Sequence, residues 1–442
     1  MAGSVFDSVM FRDLFGDPEV GKLFTDNAEV RAMLLVEGTL ARVQADMGII
    51  PAESGAAIQR ASIEAQIDPA SLASETGKNA VMVPALVNAF RNAMNAPEHA
   101  QYIHWGATSQ DIIDTGLVLR LRQVVSIYES RLQALAKELG VLAKTYADLP
   151  MAGRTYGQIS TVTSFGAVVA SWGIPVIRHL DRLNELKPRL LQVSLSGASG
   201  TLSALGREGG KVRAALASSL KLADPQTSWH STRDTVAELS GWTTLVSGTL
   251  GKIGEDLILM TQSGIREITL SQGGSSSTMP QKSNPVLPSL LVSLARQSNA
   301  LNLSVQGAIL HRQQRDGAAW LCEWMSVPQL ILGTARGLSA TLELVSGISP
   351  NADRMANNID DGLGLIYAEA LSFELAKTMR RPDAQSEVKQ LCNTTLDTQV
   401  PLGQLASEKW PKLNLAKIFT PSQQLGTAPQ DAELFAAAAK AL

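Results

Sequence analysis

Apolar residues recur at intervals of three and four over long stretches of this chain. Val236, Leu239, Trp242, Val246, Leu250, Ile253, Leu257 and Met260 form one stripe, with the period of a helix that buries one face. A second runs through Leu117, Leu121, Val124, Tyr128, Leu132, Leu135, Leu139 and Leu142. Each predicts a helix of roughly 30 residues, about 45 Å long. The segments from Val286 to Leu310 and from Glu323 to Val345 have the same character, and their Ser, Asn and Gly content predicts close or polar packing. Gly248, Gly251 and Gly254 would let neighbouring backbones approach. No convincing strand series, nucleotide loop or internal repeat emerges, so the predicted fold class is all-α, built on a long antiparallel helix bundle.

Composition narrows the function classes. At 442 residues the chain exceeds one typical hydrophobic core, which predicts two or three domains. Lys and Arg number 38 against 41 Asp and Glu, a net charge of −3, so nothing draws the whole chain to nucleic acid or acidic membranes. The two cysteines, Cys322 and Cys392, imply no disulfide framework. Asp7, Arg12 and Asp13 interrupt the apolar residues at the N-terminus, no signal-peptide core or bilayer-spanning run is read, and a reducing cytoplasm is expected. The five histidines, His99, His104, His179, His230 and His311, lack standard metal-ligand spacing.

The chemistry concentrates in a Gly/Ser/Pro-rich loop, Gly273-Gly274-Ser275-Ser276-Ser277-Thr278-Met279-Pro280-Gln281-Lys282-Ser283-Asn284-Pro285. Such a loop can leave backbone N–H groups free for an anion, and Lys282 adds a full charge; a solvated linker has the same composition. In His104-Trp105-Gly106-Ala107-Thr108-Ser109-Gln110-Asp111, residues Thr108, Ser109 or Asp111 can cap the following helix. The same free N–H groups and hydroxyls can bind a carboxylate. Arg315, in Gln313-Gln314-Arg315-Asp316, can grip a carboxylate bidentately or simply face solvent. Trp320 and Trp324, four apart, read first as helix packing.

The order of residues in the loop resembles the GSSxMPxKxN signature of the fumarase/aspartase superfamily, whose members make or break a C–O or C–N bond beside a carboxylate. Ser275 stands where the signature has glycine, with Gly274 one step earlier, through substitution or a one-residue insertion. The resemblance puts the catalytic serine on Ser276, with Ser277 its most easily confused neighbour, and substrate binding on Lys282 and Asn284. It places a substrate carboxylate on Thr108 and Ser109, and matches His104 to an active-site histidine of the adenylosuccinate lyase branch. Tyr156 and Gln158 belong to a third motif, Gly153-Arg154-Thr155-Tyr156-Gly157-Gln158, where most branches carry a histidine at the place of Tyr156. That histidine titrates near neutrality and suits general acid–base work, whereas tyrosine is a poor base. The branch that lactonizes 3-carboxy-cis,cis-muconate typically lacks it. Arg315 matches the arginine of that branch's His-Glu-Arg run, with two glutamines at the other places.

The resemblance implies three helical domains, 1–109, 110–350 and 351–442, with Arg31 through Pro51 in the first. It implies a homotetramer whose active sites combine segments of several subunits, no cofactor, no metal, and a small polycarboxylate substrate. Two activities follow: a cycloisomerase forming carboxymuconolactone, or an adenylosuccinate lyase-like C–N or C–O lyase in which His104 or His230 replaces the missing histidine. A sulfonate in place of the muconate carboxylate is equally compatible. A helical scaffold without activity would need the helices but not the serine loop.

Overall fold

The computed structural model describes residues 3–271, 273–275 and 278–442. Among the described residues, five long helices carry the fold: α2 (Ser109–Thr145), α3 (Phe165–Leu190), α4 (Asp234–Thr261), α5 (Val286–Gly307) and α6 (Gly317–Val345), preceded by α1 (Asp26–Asp46). The predicted stripes are buried, with Tyr128, Leu132, Leu135 and Leu139 at 0% exposure on α2 and Val246, Ile253 and Leu257 likewise on α4. Helix α6 starts earlier than its apolar stripe predicts, because Asp316 caps it by accepting from the N–H groups of Ala318 (3.0 Å) and Ala319 (3.3 Å).

The chain divides into two compact units, and every boundary between them falls inside a long helix. The first holds the chain up to Ser130, His179–Gly248 and Leu294–Ser339. Its helices meet through aromatic and polar contacts: Tyr128 stacks on Trp242 with ring centroids 6.0 Å apart. Ser240 donates to Asn302 Oδ1 (2.8 Å), and Ser247 and Thr334 share a hydrogen bond at 3.2 Å. This is the polar packing expected of α5 and α6. Trp320 and Trp324 lie edge to face, 4.8 Å apart, as helix-packing residues.

The second unit comprises Arg131–Arg178, Thr249–Ser293 and Ala340–Leu442. Here Gly254 meets its expectation, since a Cβ on it would sit 2.6 Å from the carbonyl oxygen of Pro288, whereas Gly248 has open space around it. The C-terminal alanine-rich segment is a helix, Ala428–Lys440, whose Phe435 ring occupies the place of a side chain on Gly173.

Short strands depart from the prediction. β1 (Pro150–Thr155) and β2 (Gln158–Ser164) form an antiparallel hairpin. Tyr156 (φ 53°) and Gly157 (φ 76°) make its two-residue turn, with the backbone twist that right-twisted strands require. The register shifts between Ala152 and Arg154, and a Cβ at Gly153 would approach the carbonyl oxygen of Thr161 to 2.7 Å, so glycine accommodates a bulge. β3 (Ile268–Leu270) pairs with β6 (Ile348–Pro350), and β4 (Gly274–Ser275) with β5 (Ser283–Asn284).

Candidate active site

The first unit gathers a polar corner at the start of α2. Thr108 and Asp111 form a reciprocal cap: the Thr108 N–H donates to Asp111 Oδ2 (2.9 Å) while the Asp111 N–H donates to the Thr108 carbonyl (3.0 Å). Asp111 is fully buried and also accepts from Ser196 N–H (2.7 Å), Gly197 N–H (3.0 Å) and His230 Nε2 (2.7 Å). One carboxylate thus fixes three separate segments. Capping by Asp111, one of the expected roles, leaves the Thr108 and Ser109 hydroxyls for other partners.

Arg315 reaches this corner. Its Nε donates to Gln110 Oε1 (2.8 Å), and Nη2 approaches Thr108 Oγ1 and the Ala198 carbonyl, each at 3.4 Å. Gln110 is itself buried and donates from Nε2 to the His230 carbonyl at 2.9 Å. The arginine is therefore held by a rigid amide and does not simply face solvent, and α6 begins two residues after it.

Further along α2 lies a buried ionic cluster. Arg233 donates to both oxygens of Asp114 (2.7 and 3.1 Å) and to both of Glu323 (2.8 and 2.5 Å), with its guanidinium over the Trp229 ring at 4.8 Å. Burial opposes the charge of Arg233, but Asp114 and Glu323 outweigh it and hold the guanidinium well above its ordinary range. Glu323 is shifted up, by burial first, with Arg233 opposing. His311 is shifted down by burial and then by Arg233.

His104, in a left-handed conformation (φ 67°), donates from Nδ1 to Glu37 Oε1 at 2.6 Å. Burial lowers its pKa, but Glu37 by charge and hydrogen bond, with Asp111, more than compensates, and the net shift is upward. His230, the other candidate replacement acid, is buried with Nε2 committed to Asp111 and no partner on Nδ1 among the described residues.

The second unit carries the remaining expected residues. Tyr156 is fully exposed at the hairpin turn, and Gln158 lines a cleft of about 610 Å³ with Arg154, Asn358 and Asp360. Arg154 is structural: it donates to both oxygens of the fully buried Glu267 (2.9 and 2.6 Å), clamping β1 to the segment before β3. Lys282 is exposed just before β5, and Asn284 is half-buried within it. Side chains on Gly273 and Gly274 would come within 1.9 Å of Ser283 Oγ and 2.5 Å of Val286 Cγ2, so the loop needs glycine at both places, and Ser275 pairs with Ser283 across the ladder. Ser276 and Ser277 lie outside the described residues. Among the described residues, no hydrogen bond or ion pair joins Tyr156 or Gln158 to Lys282 or Asn284.

No helix of the described residues is long and apolar enough to cross a membrane, and no group of His, Cys, Asp and Glu among them could hold a metal ion. A family model described as lyase matches residues 17–298. The chain belongs to this lyase family, the fumarase/aspartase superfamily. It is 37% identical over 392 residues to the 3-carboxy-cis,cis-muconate cycloisomerase of Pseudomonas aeruginosa, covering 88% of this chain and 85% of that one. The protein of the same name from Acinetobacter baylyi is 34% identical over 432 residues, 95% of this chain and 96% of that one. The crystal structure of 3-carboxy-cis,cis-muconate lactonizing enzyme from Pseudomonas putida superposes with a TM-score of 0.93 at 32% identity, over 98% of this chain and 99% of the other. The all-α, long-helix fold expected from the sequence is therefore the superfamily's fold, and this lyase-family member is an enzyme.

Proposed function

We propose that the chain is a cycloisomerase that turns 3-carboxy-cis,cis-muconate into 4-carboxymuconolactone in protocatechuate breakdown. The observation that carries this reading is Tyr156, fully exposed on a hairpin turn, at the place where other branches carry a histidine acid. A lyase expelling an amine or alkoxide needs such a proton donor. Intramolecular addition of a substrate carboxylate does not, because the nucleophile is already ionised near neutral pH. The catalyst must then fold the diene and hold its other carboxylates still.

In this reading Thr108, Ser109 and Arg315 bind one substrate carboxylate at the start of α2. A carboxylate oxygen adds to the diene, a C–O bond forms, and charge moves into a neighbouring carboxylate as an aci-carboxylate. Lys282, Asn284 and loop N–H groups stabilise that charge, and Ser276 delivers the proton to carbon, taking it back in the reverse elimination. Tyr156 and Gln158 shape the pocket. The first-unit and second-unit residues come from different subunits of a homotetramer; the exposed Tyr156, Leu303, Leu310 and Met325 supply apolar surface for such contacts. The three-part division at Ser109 and Pro350 belongs to the same reading. No cofactor enters any step.

Purified protein incubated separately with 3-carboxy-cis,cis-muconate, its sulfonate analogue, fumarate, argininosuccinate and adenylosuccinate tests the proposal. Loss of the diene absorbance with lactone as product is expected for the carboxymuconate. Turnover confined to one of the last three compounds would sink it.

A further inference from the structure

Helix α1 buries an apolar face, with Val30, Met33, Leu34, Val36, Leu40 and Ala41 each no more than 5% exposed. Two polar residues seven apart interrupt it, Glu37 at 2% and Gln44 at 0%. Burying an amide and a carboxyl in such a face costs free energy unless each is used. Both are used on the same turn: Gln44 donates from Nε2 to the Trp105 carbonyl (2.7 Å), and Glu37 accepts from His104 Nδ1 (2.6 Å). The turn is further held by left-handed His104 and Gly106, where Leu205 fills the space of a side chain on the glycine. Ala107 N–H then returns to the His104 carbonyl at 3.3 Å, one residue before Thr108.

The grip on Nδ1 leaves Nε2 without a hydrogen-bond partner among the described residues, on a side chain that keeps 21% of its area exposed. We propose that Glu37 is a positioning residue of the anion site: it holds the His104 ring as an imidazolium whose Nε2–H binds a second anionic group of a polycarboxylate substrate, beside the carboxylate held by Thr108 and Ser109. The charged groups acting on the ring are Glu37 from α1 and Asp111 from α2, which favour the cation, and Arg91 from the Val83–Met94 helix, which opposes it. The carboxylates prevail, so the cation persists above the ordinary histidine range. Arg315 and His104 then give the corner two cations, matching a substrate with more than one carboxylate better than a monocarboxylate.

This inference rests on the proposed role of Thr108 and Ser109. Initial rates with 3-carboxy-cis,cis-muconate are measured from about pH 6 to 9 for the wild type, Glu37→Gln and His104→Gln, and the His104 ring is titrated by NMR in the first two. KM of the wild type should stay low on the acid side and climb as pH rises through the His104 pKa. In Glu37→Gln the climb and the NMR midpoint should move to lower pH, raising KM about tenfold near neutrality while kcat changes less than about twofold. His104→Gln should show a flat, high KM, and it carries the kinetic test if Glu37→Gln does not fold. Superimposable KM profiles for the wild type and either variant, or an unmoved midpoint, overturn the proposal. A wild type that turns over no carboxymuconate instead removes the proposed function, and the NMR midpoint alone then decides the role of Glu37.

Discussion

Arg315 places Nη2 3.4 Å from the Thr108 hydroxyl while its Nε is tied to Gln110, so a guanidinium from the start of α6 is fixed at the N-terminus of α2. A threonine hydroxyl and a full positive charge thus lie side by side at that helix end, the pair that the proposed function assigns to a substrate carboxylate.

Arg315→Ala should raise KM about 10- to 100-fold through loss of a charge-assisted contact. Arg315→Lys should recover little, because an ammonium cannot satisfy Gln110 and the substrate in the guanidinium's geometry. Steady-state kinetics check this; a lysine variant with wild-type KM would show that charge alone matters there.

Ser276→Ala should lower kcat by about 10²–10⁴ with helical content unchanged by circular dichroism. Lys282→Met should raise KM as well as lower kcat, since it removes ground-state and developing-charge contacts together. Near-normal kcat in the serine variant would remove Ser276 from proton transfer.

Tyr156→Phe should cost about 1–2 kcal/mol in kcat/KM, the loss of one hydrogen bond. A drop in kcat of about 10²–10⁴ would instead make tyrosine an essential acid, and would overturn the argument that the substrate's ionised carboxylate makes the histidine unnecessary.

Arg233→Met should destabilise the protein by about 3–5 kcal/mol, because Asp114 and Glu323 would be left buried together without their cation. Asp114→Asn should cost less, since Glu323 still pairs the arginine. Denaturant unfolding reads both. A methionine variant within about 1 kcal/mol of wild type would mean that the cluster is not the structural anchor its burial indicates.

The pH dependence of stability should reflect His104. Its folded pKa lies above the value of about 6.5 expected when unfolded, so its contribution is fully present below that pH and is lost as pH rises through the folded pKa. The difference in melting temperature between wild type and His104→Gln should therefore shrink from about pH 6 to 9. A difference that grows over this range would contradict the pairing with Glu37.

What the sequence determined by itself were features written locally and repeated. The stripes through Tyr128 on α2 and Ile253 on α4 announced two helices, because spacings of three and four fix which face is apolar wherever the helix packs. The order of residues around Met279 and Lys282 identified the superfamily, and the single change to Tyr156 pointed to a branch. The hairpin that displays Tyr156 is absent from the predicted elements, although Gly157 followed by alternating Ile159, Thr161 and Thr163 carries its signal. Helix α3 is absent from them too. Tertiary structure alone decided the pairings: Glu37 with His104 across 67 residues, Arg154 with Glu267 across 113, and Asp114 with Arg233 across 119. A charged residue in an apolar stretch marks only an unmet need for a partner, and no local pattern names that partner. Folding brings the two charges into one buried space, where leaving either alone would cost several kcal/mol, and that cost selects the pair.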